Sequence, residues 1–301
     1  MTSKRKIGLA LGSGSSRGWS HIGVIKSLKD VGIEPDIICG TSIGALVGAS
    51  YVAGNLDKLE KWVGSLSKLD TARFFEINTS LTGFINTERF HDFLNENVAR
   101  DEVFIEKLDK QYAAVSTDLE TGREIWLEEG ALVNAVWASI SLPGLFPAIK
   151  NNNRWLVDGG LVNPVPVSVC RAMGADIVIA VNLNGDIVGK HFSERAEKPI
   201  QENSSNGLTN LIREYTNSLF STFREADQSP SLFDAIANSV NIAQDRITRS
   251  RLAGDPPDIL LSPKLSHIGL LEFYRAQEAI REGEHCVQRM KSEIDYIMGI
   301  I

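Results

Sequence analysis

A serine framed by two glycines, Gly40-Thr41-Ser42-Ile43-Gly44, stands between a short apolar run and a stretch of small residues with helical character. G-x-S-x-G in a strand-to-helix setting is the pattern a nucleophile elbow needs. The serine must sit on a tight turn, and flanking residues without Cβ, here Gly40 and Gly44, let neighbouring backbone close in on it. At a helix N-terminus it also meets unpaired N–H groups and the positive end of the helix dipole, which favour developing negative charge. From the pentapeptide alone, a packing turn or a helix-capping serine reads the same way.

Two further segments carry chemistry. Gly12-Ser13-Gly14-Ser15-Ser16-Arg17-Gly18 also follows an apolar run and opens a helix, so its amides can converge on an anion. Such a loop can cradle a pyrophosphate, although the spacing is not G-x-G-x-x-G. It can equally form an oxyanion hole, each donor of which is worth about 3–4 kcal/mol in the transition state. Arg17 would then anchor the loop or meet a phosphate head group. Asp158 is delivered by Trp155-Leu156-Val157 into a tight turn at Gly159-Gly160. There it can cap its own turn, or accept a serine proton if desolvation lifts its pKa toward neutrality. Of the histidines, His191, His267 and His285 come late enough for a Ser-Asp-His order; none lies in a glycine-framed turn, and each reads as structural.

The elements that must position these groups alternate. Ile7 to Leu11 reads as a buried strand, Trp19 to Val31 as a helix stopped by Gly32, and Asp36 to Cys39 as a strand feeding Ser42 and a helix through Ala53. Residues 56–105 read as interrupted helix. Tyr112 to Ser116 and Glu124 to Leu127 read as a hairpin, followed by a helix over Ala131 to Ser139, a helix near Val165 to Met173 and a strand over Ile177 to Asn182. This order predicts an α/β fold with a mainly parallel sheet covered on both faces. Beyond it, 184–208 is polar, 209–224 and 232–253 read as helices, Ile259 to Leu261 as a strand, and Phe273 to Met298 as one long closing helix. The expected division is a catalytic part over 5–185 and a C-terminal part over 186–301 packed on it. The polar stretch reads as a solvated connector or a lid.

Composition narrows the partners. The 301 residues are 43% hydrophobic and 23% charged, with net charge -7, a globular balance without the basic surface that nucleic acid requires. Three scattered cysteines, Cys39, Cys170 and Cys286, form no pair with metal or disulfide spacing. No carboxylate cluster suggests a calcium cage. No run of about 18 apolar residues or signal-peptide core is evident, so the expectation is a cytoplasmic protein whose membrane contact, if any, is peripheral at the inner surface. Trp19, Phe74, Phe75, Phe84 and Phe146 read either as including an interfacial set or, as scattered aromatics usually do, as core.

Taken together, the three blocks resemble the patatin-like phospholipase family, whose pattern is G-G-G-x-R/K-G, then G-x-S-x-G, then Asp-Gly-Gly or Asp-Gly-Ala. Ser139-Ile140-Ser141-Leu142-Pro143-Gly144-Leu145-Phe146-Pro147 is similar to the family's A/S-x-S-x-P-x-x-F-P block, and Gly254 to Ile259 extends the likeness to small bacterial members related to neuropathy target esterases. The resemblance covers about residues 5–185. It implies a three-layer α/β/α fold with a helical C-terminal extension. It further implies a Ser42–Asp158 dyad without histidine, an oxyanion hole from the Gly14 and Ser15 amides, Arg17 in the basic position, and no metal or cofactor. The dyad assigns the glycine loop to the oxyanion and removes the dinucleotide reading. The implied substrate is a fatty-acyl ester or (lyso)phospholipid, with Leu142 to Phe146 as a candidate acyl wall. A non-catalytic scaffold on the same fold, or acyl transfer to an acceptor other than water, are the alternatives. Ser13 and Ser15 depart from the family's glycines; a positive φ at Ser15 would cost about 1 kcal/mol or more, while the hydroxyls offer extra hydrogen bonds.

Overall fold

The computed structural model describes residues 5–74, 87–185 and 232–300. Eight strands form one sheet: β1 (Ile7–Leu11), β2 (Ile37–Thr41), β3 (Gln111–Asp118), β4 (Glu124–Leu127), β5 (Ile149–Asn151), β6 (Arg154–Asp158), β7 (Ile177–Val181) and β8 (Ile259–Leu261). Their order is β5-β6-β3-β2-β1-β7-β8, with β4 also paired to β3. The β1–β2, β1–β7, β2–β3 and β7–β8 pairs are parallel, and the pairs involving β4, β5 and β6 are antiparallel.

β1, β2 and β7 are buried at every position and mostly apolar, so each buries both faces. Along them, alternate residues enter opposite cores. Leu9, Leu11, Ile38, Ala114, Ile179 and Val181 join the larger cluster. Ala10, Cys39, Ala113, Val115, Val178 and Ala180 join the smaller one. Helices α1 (Ser20–Asp30), α2 (Ile43–Val52), α3 (Leu56–Gly64), α5 (Thr87–Asn97), α6 (Leu132–Ile140) and α9 (Ala276–Arg289) contribute to the first core. α7 (Val167–Ala172) covers the second face. The result is a three-layer α/β/α arrangement. α4 (Lys68–Phe74), α8 (Leu232–Gly254) and α10 (Lys291–Met298) complete the described helices.

Two elements differ from the sequence reading. The closing helix is broken: a 3-10 turn at Phe273–Arg275 precedes α9, and Met290, with φ -99 and ψ 5, separates α9 from α10. Both segments have good helical periodicity, and nothing as local as a proline marks the break. β5 went unpredicted because Ile149-Lys150-Asn151 is too short and polar to alternate. It is held by a tight hairpin to β6 in which Asn152 (φ 46) and Asn153 (φ 63) take the left-handed conformation that asparagine tolerates best after glycine. The helix expected over 209–224, and residues 186–208 of the polar stretch, lie outside the described residues.

The register around β3 positions the site. Ala114 and Val115 pair with β2 and with β4, whereas Ser116 and Thr117 pair with β4 and with β6. A strand has two edges, so β2 and β6 must share the edge opposite β4. β2 ends with Thr41 opposite Val115, and β6 ends with Asp158 opposite Ser116, the next residue along β3. The residue after Thr41 and the last residue of β6 are thereby brought end to end.

Candidate active site

Ser42 is the hinge between β2 and α2. Its φ of 57 and ψ of -123 lie outside the regions open to ordinary residues, a strain of order 1–3 kcal/mol that the surroundings must hold. They do so tightly. A Cβ on Gly44 would fall 2.1 Å from the Leu11 carbonyl oxygen, so the start of α2 can reach β1 only with glycine there. From below, the Ser42 amide donates to Ser139 Oγ at 2.9 Å, and that hydroxyl donates in turn to the Val115 carbonyl at 2.6 Å.

Asp158 meets Ser42 directly. Ser42 Oγ donates to Asp158 Oδ2 at 2.5 Å, and Asp158 Oδ1 accepts the Gly160 amide at 2.7 Å. Thr117 Oγ1 donates to the Asp158 carbonyl, and the Asp158 amide donates to the Ser141 carbonyl, so the backbone is pinned on both sides. The carboxyl is 1% exposed. Burial raises its pKa from 3.8 to about 6, against the opposing pull of the Ser42 and Gly160 donors. A carboxylate so tuned is ionised at neutral pH and still basic enough to exchange a proton there.

The glycine loop lies beside this pair. Gly12 and Ser13 donate to the Val181 and Pro164 carbonyls, and Ser16 and Arg17 to the Leu270 and Gly14 carbonyls. The Gly14 and Ser15 amides have no acceptor among the described residues. Ser15 does adopt a positive φ, 52, and its hydroxyl compensates by donating to the Leu270 carbonyl at 2.6 Å, while Ser16 Oγ donates to Gly269 O at 2.7 Å. Arg17 is buried beneath the loop. Its Nε donates to Gly14 O at 3.1 Å and its Nη2 to Asn241 Oδ1 at 3.3 Å, with no carboxylate paired to it among the described residues. Burial lowers its pKa to about 10, which leaves it a cation at neutral pH. Both of its hydrogen bonds thus run to the loop and to α8, the contacts that an anchoring role would use. His21 holds the loop from the other end: its Nε2 lies 2.8 Å from the Gly12 carbonyl, which makes Nε2 the protonated nitrogen, and burial depresses its pKa to about 4.

Ser42 and Asp158 stand among the few polar groups that line an otherwise apolar pocket. Leu142, Leu145 and Phe146 line it together with Trp62, Phe90 and Phe93. The rings pack on one another, with centroids 4.3 Å apart for Trp62–Phe93 and 4.8 Å for Phe90–Phe146. A pocket that is apolar but for a few convergent polar groups has the character of a small-molecule site.

A patatin-like phospholipase family model matches residues 9–171, more than half of the chain, and spans all three glycine-marked blocks. The chain belongs to the patatin-like phospholipase family. It is also 32% identical to an uncharacterized NTE family protein of Mycobacterium tuberculosis (strain ATCC 25618 / H37Rv), across 94% of this chain and 90% of that protein. It is 26% identical to lysophospholipase nte1 of Aspergillus oryzae (strain ATCC 42149 / RIB 40), across 96% of this chain but 18% of that much longer protein. A 191-residue stretch, 60% of this chain and 13% of its counterpart, is 35% identical to lysophospholipase NTE1 of Yarrowia lipolytica (strain CLIB 122 / E 150).

In this patatin-like chain, the residues singled out from sequence converge: Ser42, Asp158, Gly14 and Ser15 all line one pocket. The late histidines do not join them. His267 is on the surface against Glu278, His285 is exposed, and His191 lies outside the described residues. Trp19 and Phe146, considered as interfacial aromatics, are instead buried in the pocket wall. Phe75 and Phe84 lie outside the described residues, as does the side chain of Phe74. Three contributors went unread in the sequence: Ser139, His21 and the pair Asn241 and Gln244 of α8. The first was visible as the leading serine of the Ser139–Pro147 block. Nothing local marks the α8 pair, which reaches the loop only through tertiary packing. All three cysteines are free and buried, and no cluster of three metal-ligating side chains occurs among the described residues. No described helix is long and apolar enough to cross a membrane.

Proposed function

We propose that this protein is a serine acyl hydrolase acting on fatty-acyl esters, lysophospholipids among them, through a Ser42–Asp158 dyad. The observation that carries the reading is the 2.5 Å bond from Ser42 Oγ to Asp158 Oδ2 in an otherwise apolar pocket. The acyl chain lies among the pocket rings with its carbonyl carbon over Ser42 Oγ. Asp158 takes the hydroxyl proton as Oγ attacks. The carbonyl oxygen becomes an oxyanion that accepts from the Gly14 and Ser15 amides, with the Arg17 cation behind the loop and the N-terminus of α2 adding favourable field. Protonated Asp158 returns the proton to the departing alkoxide, leaving an acyl-enzyme and a free alcohol. A water then attacks the acyl-enzyme with Asp158 as base, releasing the fatty acid and restoring Ser42.

The test is fluorophosphonate labelling together with hydrolysis of acyl p-nitrophenyl esters and lysophosphatidylcholine. Wild type is expected to label and turn over, Ser42→Ala to do neither, Asp158→Asn to lose turnover, and His267→Ala to match wild type. Folded wild type that neither labels nor hydrolyses would refute the reading in favour of a binding scaffold. Acyl transfer would show as acylated acceptor formed in place of free fatty acid when alcohols or lysolipids are added.

A further inference from the structure

The inward stripe of α8 is polar. Asn241, Gln244, Asp245 and Thr248 are all buried, and their spacing places them on one face of the helix. Buried amides are costly unless both ends are hydrogen-bonded. Gln244 Oε1 is well served: Ser13 Oγ and Asn184 Nδ2 both donate to it at 3.1 Å. Two donors on that oxygen fix which end of the amide points away from the loop. The other end, Nε2, makes no hydrogen bond among the described residues, although it stands against the Asp158 turn. A Cβ added to Gly160 would lie 2.4 Å from Gln244 Nε2 and 3.0 Å from Asp158 Oδ1. The second glycine of Asp-Gly-Gly thus leaves room for this amide. Gln244 lines the same pocket as Ser42 and Asp158, so an N–H donor with no acceptor among the described residues faces the pocket beside the reacting atoms.

The chemistry of the two walls says what the donor faces. The rings around Phe90 suit an acyl chain and offer no hydrogen-bonding complement to it. The Gln244 wall is polar, and the alcohol half of the ester must extend along some surface other than the rings. Among the described residues no lysine, arginine or histidine lines the pocket, and an anionic group drawn against this wall would approach the Asp158 carboxylate. A neutral hydroxyl is the group that fits. We propose that Gln244 Nε2 donates a hydrogen bond to a free hydroxyl in the alcohol half of the substrate, so that the site selects glyceryl esters, lysophospholipid or monoacylglycerol, over esters lacking that hydroxyl. This rests on the hydrolase reading above and names the residue that sets its substrate class.

The experiment compares kcat/KM for lysophosphatidylcholine, 1-monoacylglycerol and the p-nitrophenyl ester, all with one acyl chain, in wild type, Gln244→Met and Gly160→Ala. Gln244→Met removes the donor. Gly160→Ala keeps the amide donor to Asp158 but its Cβ presses on Gln244 Nε2 at 2.4 Å and on Asp158 Oδ1 at 3.0 Å, so the substrate ratio and not the overall rate reads the loss of the donor. In both, the ratio of glyceryl-ester to p-nitrophenyl-ester hydrolysis is expected to fall about tenfold, the upper range for one neutral hydrogen bond. Fluorophosphonate labelling of Ser42 establishes that each variant is folded, and if Gln244→Met does not fold, the Gly160→Ala ratio decides. A ratio unchanged in a folded variant, or an equal loss on all substrates, would overturn the proposal and leave Gln244 as a brace for the loop. A loss confined to lysophosphatidylcholine would also overturn it, because the contact would then be with the phosphate group. Turnover persisting in Ser42→Ala would instead strike the hydrolase reading itself.

Discussion

Replacing Asp158 with asparagine should abolish turnover and, at neutral pH, make the protein more stable. The wild-type carboxyl is buried and its pKa is raised from 3.8 to about 6. A folded-state value above the unfolded one means that folding holds the proton more tightly. The resulting stability is fully present below pH 3.8 and is lost as pH rises through 6. Above pH 6 the cost of keeping the carboxylate is a little over two units at about 1.4 kcal/mol each, or about 3 kcal/mol. Asparagine can preserve both contacts, its Oδ1 accepting from Gly160 and its Nδ2 donating to Ser42 Oγ, while carrying no charge. The variant should therefore gain up to about 3 kcal/mol at pH 7.5, equivalent to a rise in Tm of about 5 °C for a chain of this size. The gain should shrink steadily between pH 6 and pH 4, where the wild-type carboxyl is itself neutral. His21, whose burial acts in the opposite direction over pH 6.5 to 4, is common to both proteins and drops out of the difference. Thermal or urea unfolding of the two proteins at pH 4, 5, 6 and 7.5 measures this. An Asp158→Asn protein no more stable than wild type at pH 7.5, or a gain independent of pH, would refute the assignment of the raised pKa to an uncompensated buried charge.

The same carboxyl should govern rate: kcat/KM should rise with pH through an apparent pKa near 6 as Asp158 loses its proton, read from a pH–rate profile on an uncharged ester. Ser139→Ala strands the Ser42 amide donor and frees the strained elbow, so kcat should fall about tenfold with little change in KM, in line with about 1–3 kcal/mol for a buried unpaired donor. Across a series of acyl chains, kcat/KM should climb about fourfold per methylene until the pocket is filled, since each buried CH₂ contributes about 0.8 kcal/mol. Gly44→Ala should cost about 1–3 kcal/mol in urea unfolding, because its Cβ meets the Leu11 carbonyl oxygen and backbone must move.

The sheet core, the elbow and the Asp-Gly-Gly turn were legible because each is written locally. β1 is five buried apolar residues in a row, and the elbow and the Asp-Gly-Gly turn carry their glycines beside the functional residue. That Ser42 and Asp158 touch, 116 residues apart, was legible only through the resemblance, because the register of β2 and β6 on β3 leaves no mark in either strand. Ser15 illustrates a local rule overridden by packing: a serine occupies a left-handed position because Leu270, 255 residues away, accepts its hydroxyl. The contributions of His21 and Gln244 are of the same tertiary kind, and no periodicity or motif in α1 or α8 announces them.

Because β2 and β6 meet end to end along one edge of β3, the separation of Ser42 and Asp158 is set in discrete steps. A slip of β6 by one residue would turn the Asp158 side chain to the opposite face of the sheet, and a slip of two would carry it about 6.7 Å along the edge. Neither leaves a hydrogen bond to Ser42. Molecules in a refolding mixture should accordingly be either fully competent or inert, with no partially active population. The active fraction counted by burst titration would then equal the fraction of chains that found the native strand register, and catalysis becomes a digital reporter of sheet assembly.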